Sequence, residues 1–165
     1  MTRNSMLMIA VAATFAAGGC AKKAPNDLPP PPACCGPADE DRIVPGSQRD
    51  FLANISSDRV YFGYDQFNID AEDMATLRSQ AAWLARYPGV RVTVEGHADE
   101  RGTRDYNIAL GERRANAAKN YLASLGVDPD RMGVISYGKE RPAAAGSNEE
   151  AYAQNRRAVT LVIER

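Results

Sequence analysis

Val90-Arg91-Val92-Thr93-Val94-Glu95-Gly96-His97-Ala98-Asp99-Glu100-Arg101-Gly102-Thr103-Arg104-Asp105-Tyr106-Asn107-Ile108-Ala109-Leu110-Gly111-Glu112-Arg113-Arg114 reads as strand, loop and helix in succession, and it decides the fold. Val90, Val92 and Val94 alternate with Arg91, Thr93 and Glu95, which is the pattern of a strand with one buried face. A turn of about 100° per residue from Ile108 puts Leu110, Ala117, Ala118, Tyr121, Leu122 and Leu125 on one side of the helix. Arg114 points into the centre of that stripe. A guanidinium on a core face needs an anion, because an unpaired buried charge is costly.

The anion is Asp99, another protein carboxylate, or a ligand. In the first two cases Arg114 belongs to an internal ion pair. In the third, Asp99 and Arg114 form a clamp for a zwitterion, with Asp99 taking an ammonium and the planar fork of Arg114 a carboxylate. Gly96 and Gly102 then let the backbone close around the guest.

Towards the N-terminus, Val60 to Tyr64 read as a strand that ends in the loop Asp65-Gln66-Phe67-Asn68. Asp70 caps a helix with Met74, Leu77, Ala81, Leu84 and Ala85 on one face, stopped at Pro88-Gly89. Trp83 lies off that face and either fills a second contact or sits exposed on a partner surface. Towards the C-terminus, Thr103 or Asp105 caps the site helix, and Gly126 with Pro129 ends it. Val134 to Tyr137 form a short strand. Ser147-Asn148-Glu149-Glu150 has the capping-box pattern that opens a short helix. Ala158 to Ile163 is nearly all apolar, as suits a central strand buried on both faces. The expectation is an α/β (α+β) sandwich with one mixed sheet backed by helices, in the order βαβαβ(α)β. The pattern leaves the strand order open.

Residues 1–58 have another character. Arg3 and the apolar run Met6 to Ala17 form a signal-peptide pattern, too short to span a bilayer comfortably. Ala16-Ala17-Gly18-Gly19 lead to Cys20, the arrangement of a bacterial lipoprotein signal in which the cysteine is lipidated. Ala21 follows it in place of the aspartate that resemblance to lipoprotein sorting signals associates with inner-membrane retention, and the resemblance thus implies delivery to the outer membrane. Residues 20–58, with Pro29-Pro30-Pro31-Pro32, read as a tether reaching about 100 Å at ~3 Å per residue. Cys34-Cys35 falls in this tether, and Phe51, Leu52 and Ile55 suit a short helix docking it on the domain at 59–165.

With 165 residues and a net charge of −1, nothing favours nucleic acid as a partner. The single histidine, His97, excludes a histidine-rich metal site, and three cysteines make a zinc set improbable. No cofactor is expected. Nor is catalysis, since no nucleophile stands beside His97 and Asp99.

Residues 60–163 resemble the C-terminal domain of the outer-membrane protein A-like family. The resemblance is carried by Val60-Tyr61-Phe62, by Val94 through Thr103, by Tyr106-Asn107, by Leu110 through Asn116, by Ser136-Tyr137-Gly138 and by Asn155 through Val159. It implies non-covalent binding of the diaminopimelate of peptidoglycan stem peptides. The family's binding aspartate falls on Asp99 and its arginine on Arg114, the pair singled out by helix geometry. It also implies that Asp65, Gln66, Phe67, Thr103, Asn107 and Leu110 line the groove, that His97 orders the loop, and that Arg156 and Arg157 pair with acidic residues inside the domain, away from the site. Lipid-anchored members also bind the periplasmic propeller protein of the Tol system, on a surface overlapping that groove.

Overall fold

The structure is a computed structural model and describes residues 43–163. The signal pattern, Cys20 and Cys34-Cys35 lie outside these residues. Four helices, α1 (Gln48–Asn54), α2 (Ala71–Arg86), α3 (Arg104–Ser124) and α4 (Glu149–Asn155), accompany four strands, β1 (Arg59–Tyr61), β2 (Arg91–His97), β3 (Met132–Gly138) and β4 (Arg157–Ile163). A 3-10 turn at Pro129–Arg131 leads into β3.

The strands form one mixed sheet in the order β1-β4-β2-β3. The chain's last strand is inserted between β1 and β2, antiparallel to both, while β3 runs parallel to β2 at the edge. The apolar run Ala158 to Ile163 is therefore central, as its composition required. Ala158, Val159, Thr160 and Val162 are buried, whereas Leu161 is half-buried and Ile163 exposed. One consequence fixes the site. β1, β2 and β3 all point the same way, so the loops that follow them meet at one end of the sheet. The start of β4 lies at that same end.

α3 packs across β2 and β3, and α2 packs against β1 and α3. Between helices and sheet lie Leu77, Leu84, Val92, Val94, Ala115, Ala118, Leu122 and Met132. The buried face of α3 is turned slightly from the expected one. It includes Gly111 and Ala115, and Leu125 is exposed. Trp83 fills the second contact: it is fully buried against Phe51 and Tyr87 and donates its indole N–H to Asp50 at 3.1 Å.

The short helix expected around Phe51 and Leu52 forms as α1 and docks on the sheet and α2. α1 is capped by Ser47 and buries Phe51 completely, and Gln48 Oε1 accepts the backbone N–H of Val162 at 2.6 Å. The packed body therefore begins within the segment 20–58 that composition assigns to a tether. Thr103, not Asp105, caps α3, and the cap of α4 is Asn148, one residue beyond Ser147.

Candidate ligand-binding cleft

The residues after β1, after β2 and along the first turns of α3 enclose a cleft of about 150 Å³. Asp65, Asp99, Asn107, Leu110 and Arg114, five of the expected site residues, line it together. Arg114 is fully buried and ties two segments, the loop after β1 and the end of β2, to α3. Its Nε donates to the Gln66 carbonyl at 2.8 Å, Nη1 to the His97 carbonyl at 2.8 Å and Nη2 to the Gly63 carbonyl at 3.2 Å. The guanidinium also lies 5.3 Å from the centre of the Phe62 ring.

All three acceptors are neutral. No ion pair among the described residues includes Arg114. The internal Asp99–Arg114 pair is thus absent. Burial lowers the Arg114 pKa to about 10, with the charges of Asp99 and Asp65 opposing that fall, so it stays cationic at neutral pH. A guanidinium offers five N–H donors, and three are taken. What remains is a buried positive charge at the wall of a cleft.

Asp99 is buried and faces other arginines. Its carboxylate accepts Arg101 Nη2 at 2.6 Å and Nε at 3.2 Å, plus the backbone N–H of Arg101 at 3.1 Å. Arg156 Nη1 lies 3.5 Å away. Burial pushes the Asp99 pKa upward, but the hydrogen bonds and charge of Arg101, with help from Arg156, outweigh it and hold the carboxyl below its ordinary value. Arg156 therefore does pair with acids, Asp99 and also Glu149 at 2.8 Å, but in doing so it borders the site it was expected to avoid. Arg157 departs from expectation differently. It makes no ion pair among the described residues and donates to the carbonyls of Asn155 and Arg141.

The loop that carries Asp99 is fixed from several sides. Lys139 Nζ donates to the carbonyls of Glu100 and Gly102 at 3.0 and 2.7 Å, and Asn107 Nδ2 donates to the Arg101 carbonyl at 2.8 Å. Asn107 thus lines the cleft and also fastens its loop. His97 orders the loop through its carbonyl on Arg114, while its ring stacks on Tyr137 at 5.7 Å. Asp65 sits at φ 55°, in the left-handed region that aspartate tolerates better than most residues, and accepts the Tyr106 hydroxyl.

Three expected residues stand elsewhere. Gln66 contributes its backbone carbonyl to Arg114, Thr103 spends its hydroxyl on the cap of α3, and Phe67 turns to a separate groove over α3 beside Arg113 and Asn116. Gly96 does not border the cleft either, because α3 crosses it at Gly111. Tyr64, Arg101 and Tyr106 line the cleft and were missed. Each lies beside a residue that was named, but its contact is with a segment remote in sequence.

The fold and a cleft that sets Arg114 and Asp99 side by side define a class, and comparison agrees: residues 61–156 match the OmpA family, and the chain belongs to it. Within that family it is 50% identical over 164 residues to the peptidoglycan-associated lipoprotein of Rhizobium meliloti (strain 1021), covering 98% of this chain and 89% of that one. It is 45% identical over 133 residues to the peptidoglycan-associated lipoprotein of Haemophilus influenzae, covering 77% and 87%. The crystal structure of the peptidoglycan-associated lipoprotein from Burkholderia pseudomallei superposes with a TM-score of 0.64 at 39% identity, covering 68% of this chain and 93% of that one. The C-terminal domain of Helicobacter pylori MotB shares the fold alone, with a TM-score of 0.61 at 23% identity over 66% of this chain and 85% of that one.

Proposed function

We propose that this chain holds the free end of diaminopimelate in peptidoglycan stem peptides, without covalent attachment, and links the cell wall to the outer membrane through a lipid on Cys20. The observation that carries the reading is the buried Arg114, bound only to neutral carbonyls beside a cleft. Free diaminopimelate ends carry a carboxylate for Arg114 and an ammonium for Asp99. Asp65, Asn107 and Leu110 border the guest, with Gln66, Thr103 and Phe67 supporting the loops around it. The names of the relatives, each a peptidoglycan-associated lipoprotein, support both the wall and the anchor. Lipid-anchored copies facing a repeating mesh gain avidity from individually modest contacts.

The same face is read as meeting the periplasmic propeller protein of the Tol system, in alternation with the wall, in support of envelope integrity and constriction at division. Tyr64 and Tyr106 are exposed at the cleft and Phe67 over the separate groove on α3, and exposed aromatics of this kind are enriched at protein interfaces.

The test exploits charge at constant shape. Asp99→Asn removes one charge-assisted contact, worth roughly 1.5–3 kcal/mol, and is expected to weaken binding of a diaminopimelate-containing stem peptide by about tenfold or more. Replacing diaminopimelate by lysine in the peptide, which deletes the carboxylate meant for Arg114, is expected to do likewise. A folded Asp99→Asn protein that sediments with purified sacculi as wild type does would overturn the assignment.

A further inference from the structure

Asp99 is already occupied. Its two oxygens take the Nε and Nη2 of Arg101 in a side-on fork, at 3.2 and 2.6 Å, with the geometry that makes arginine–carboxylate pairs strong. The guanidinium is sandwiched between Tyr64 and Tyr152, its central carbon 4.3 Å from each ring centre. A ligand ammonium arriving at Asp99 meets a cation in place.

The surroundings of Arg101 allow its side chain to leave without the loop moving. The backbone is pinned, since its carbonyl accepts Asn107 Nδ2 and its N–H reaches Asp99 Oδ1. The side chain is 36% exposed, unlike that of Asp99 at 7%. A second carboxylate stands on the solvent side: Glu149 Oε2 lies 3.8 Å from Arg101 Nη1, its Oε1 is 2.8 Å from Arg156 Nη2, and it is 65% exposed. Rotation towards Glu149 exchanges one carboxylate for another and leaves the inner one with the Arg101 backbone N–H and with Arg156 Nη1 at 3.5 Å.

We propose that Arg101 is the resident counter-ion of the ammonium subsite and sets its specificity: only a ligand that brings its own cation to Asp99 displaces the guanidinium, which moves onto Glu149. The proposal rests on the diaminopimelate reading above and adds a competitor inside the protein. A ligand end whose amine is acylated brings no cation and cannot replace the charge that Asp99 would lose. The subsite thus excludes uncharged ends by leaving Arg101 where it is, and the cost of displacing Arg101 keeps the wall contact reversible.

The experiment uses the full chain in detergent and two synthetic stem tripeptides ending in diaminopimelate, one with its side-chain amine free and one with it acetylated. Titration calorimetry on wild type and Arg101→Gln is expected to show the free-amine peptide bound on the order of tenfold tighter by the variant, about one charge-assisted hydrogen bond. No gain is expected for the acetylated peptide. In wild type, saturation with the free-amine peptide is expected to speed water exchange of the Arg101 Nε–H, seen by nuclear magnetic resonance. If wild type binds the free-amine peptide but the variant binds it equally or more weakly, or gains equally on both peptides, the counter-ion role is wrong and the cleft assignment stands. If folded wild type and variant bind neither peptide, the cleft assignment fails and this role with it.

Discussion

His97 is buried with neither ring nitrogen hydrogen-bonded, and burial, reinforced by the charges of Arg157, Arg141 and Arg59, lowers its pKa to about 4. The nearest carboxylate, that of Glu95, lies 3.6 Å from Nε2. An unfolded histidine titrates near 6.5, so between about pH 6.5 and 4 the unfolded chain takes up the proton first. Stability therefore falls as the pH drops through that window, by roughly 3 kcal/mol at its lower end. Asp99 acts with the same sign in another range. Its depressed carboxyl contributes stability above the ordinary carboxylate pKa and loses it as the pH falls below, under the His97 window. Urea unfolding of wild type and His97→Phe at pH 7 and 4.5 is expected to show the variant losing clearly less stability over that interval, since phenylalanine keeps the stack on Tyr137 without a proton to gain. At this scale Arg114 was legible, because a charge within an apolar stripe shows in a 3.6-residue period. Arg101 and Arg156 were not: Asp99 is two residues from Arg101, but only folding brings Tyr64, Tyr152 and Glu149 to that side chain, or Asp99 to Arg156.

Among the elements, the crossing of α3 over β2 decides where Arg114 arrives. A Cβ on Gly96 would lie 1.8 Å from the Gly111 carbonyl oxygen, backbone against backbone, so only glycine lets the helix come this close. The sequence shows Gly96 at the mouth of a loop and suggests a ligand next to it. The true neighbour is a helix fifteen residues on, a pairing no local pattern states. Helix faces and strand alternation were readable for the same reason that the strand order was not: periodicity reports burial, whereas the insertion of β4 between β1 and β2 depends on segments about a hundred residues apart. Gly96→Ala is expected to destabilise the domain by about 3 kcal/mol or more, at or above the upper end of ordinary overpacking, and to abolish stem-peptide binding as Arg114 leaves its carbonyls. Gly111→Ala meets the Ser136 hydroxyl at 2.4 Å, which can rotate away at the loss of its bond to the Ile108 carbonyl, and the Gly96 carbonyl oxygen at 2.9 Å, a milder backbone clash, so its cost is expected to be smaller. Thermal unfolding of both variants checks the order, and Gly111→Ala as the worse of the two contradicts it.

Across the whole folded body, ligand cleft and chain entry occupy opposite ends of the sheet. The cleft gathers the ends of β1 and β2 and the start of β4, whereas Val44 and Gly46 lie by the start of β2 and the end of β4, next to Val90 and Ile163. α1 ties that far end together. The Asp50 carboxylate accepts the Gly46 N–H at 3.0 Å, Asn54 Nδ2 at 2.9 Å and the Trp83 indole N–H at 3.1 Å. The bond from Gly46 first, then those from Tyr87 and Trp83 and the charge of Arg86, hold its pKa below the ordinary value against burial. Phe51, Leu52 and Ile55 announce this helix, but seven residues behind a proline-rich stretch are too few for a clear period, so how firmly it joins the folded body was not legible. Removing it would expose the face of Trp83 that Phe51 covers and leave the Val162 N–H without Gln48. A protein starting at Ile43 is therefore expected to unfold cooperatively and to bind the free-amine stem peptide as the full chain does. One starting at Arg59 loses a fully buried phenylalanine, a class of loss that costs about 3–5 kcal/mol, and is expected to melt well below it, with tryptophan fluorescence shifted towards that of an exposed ring. Equal melting temperatures for the two proteins would show that α1 merely rests on the body, and the start of the folded unit would return to Arg59.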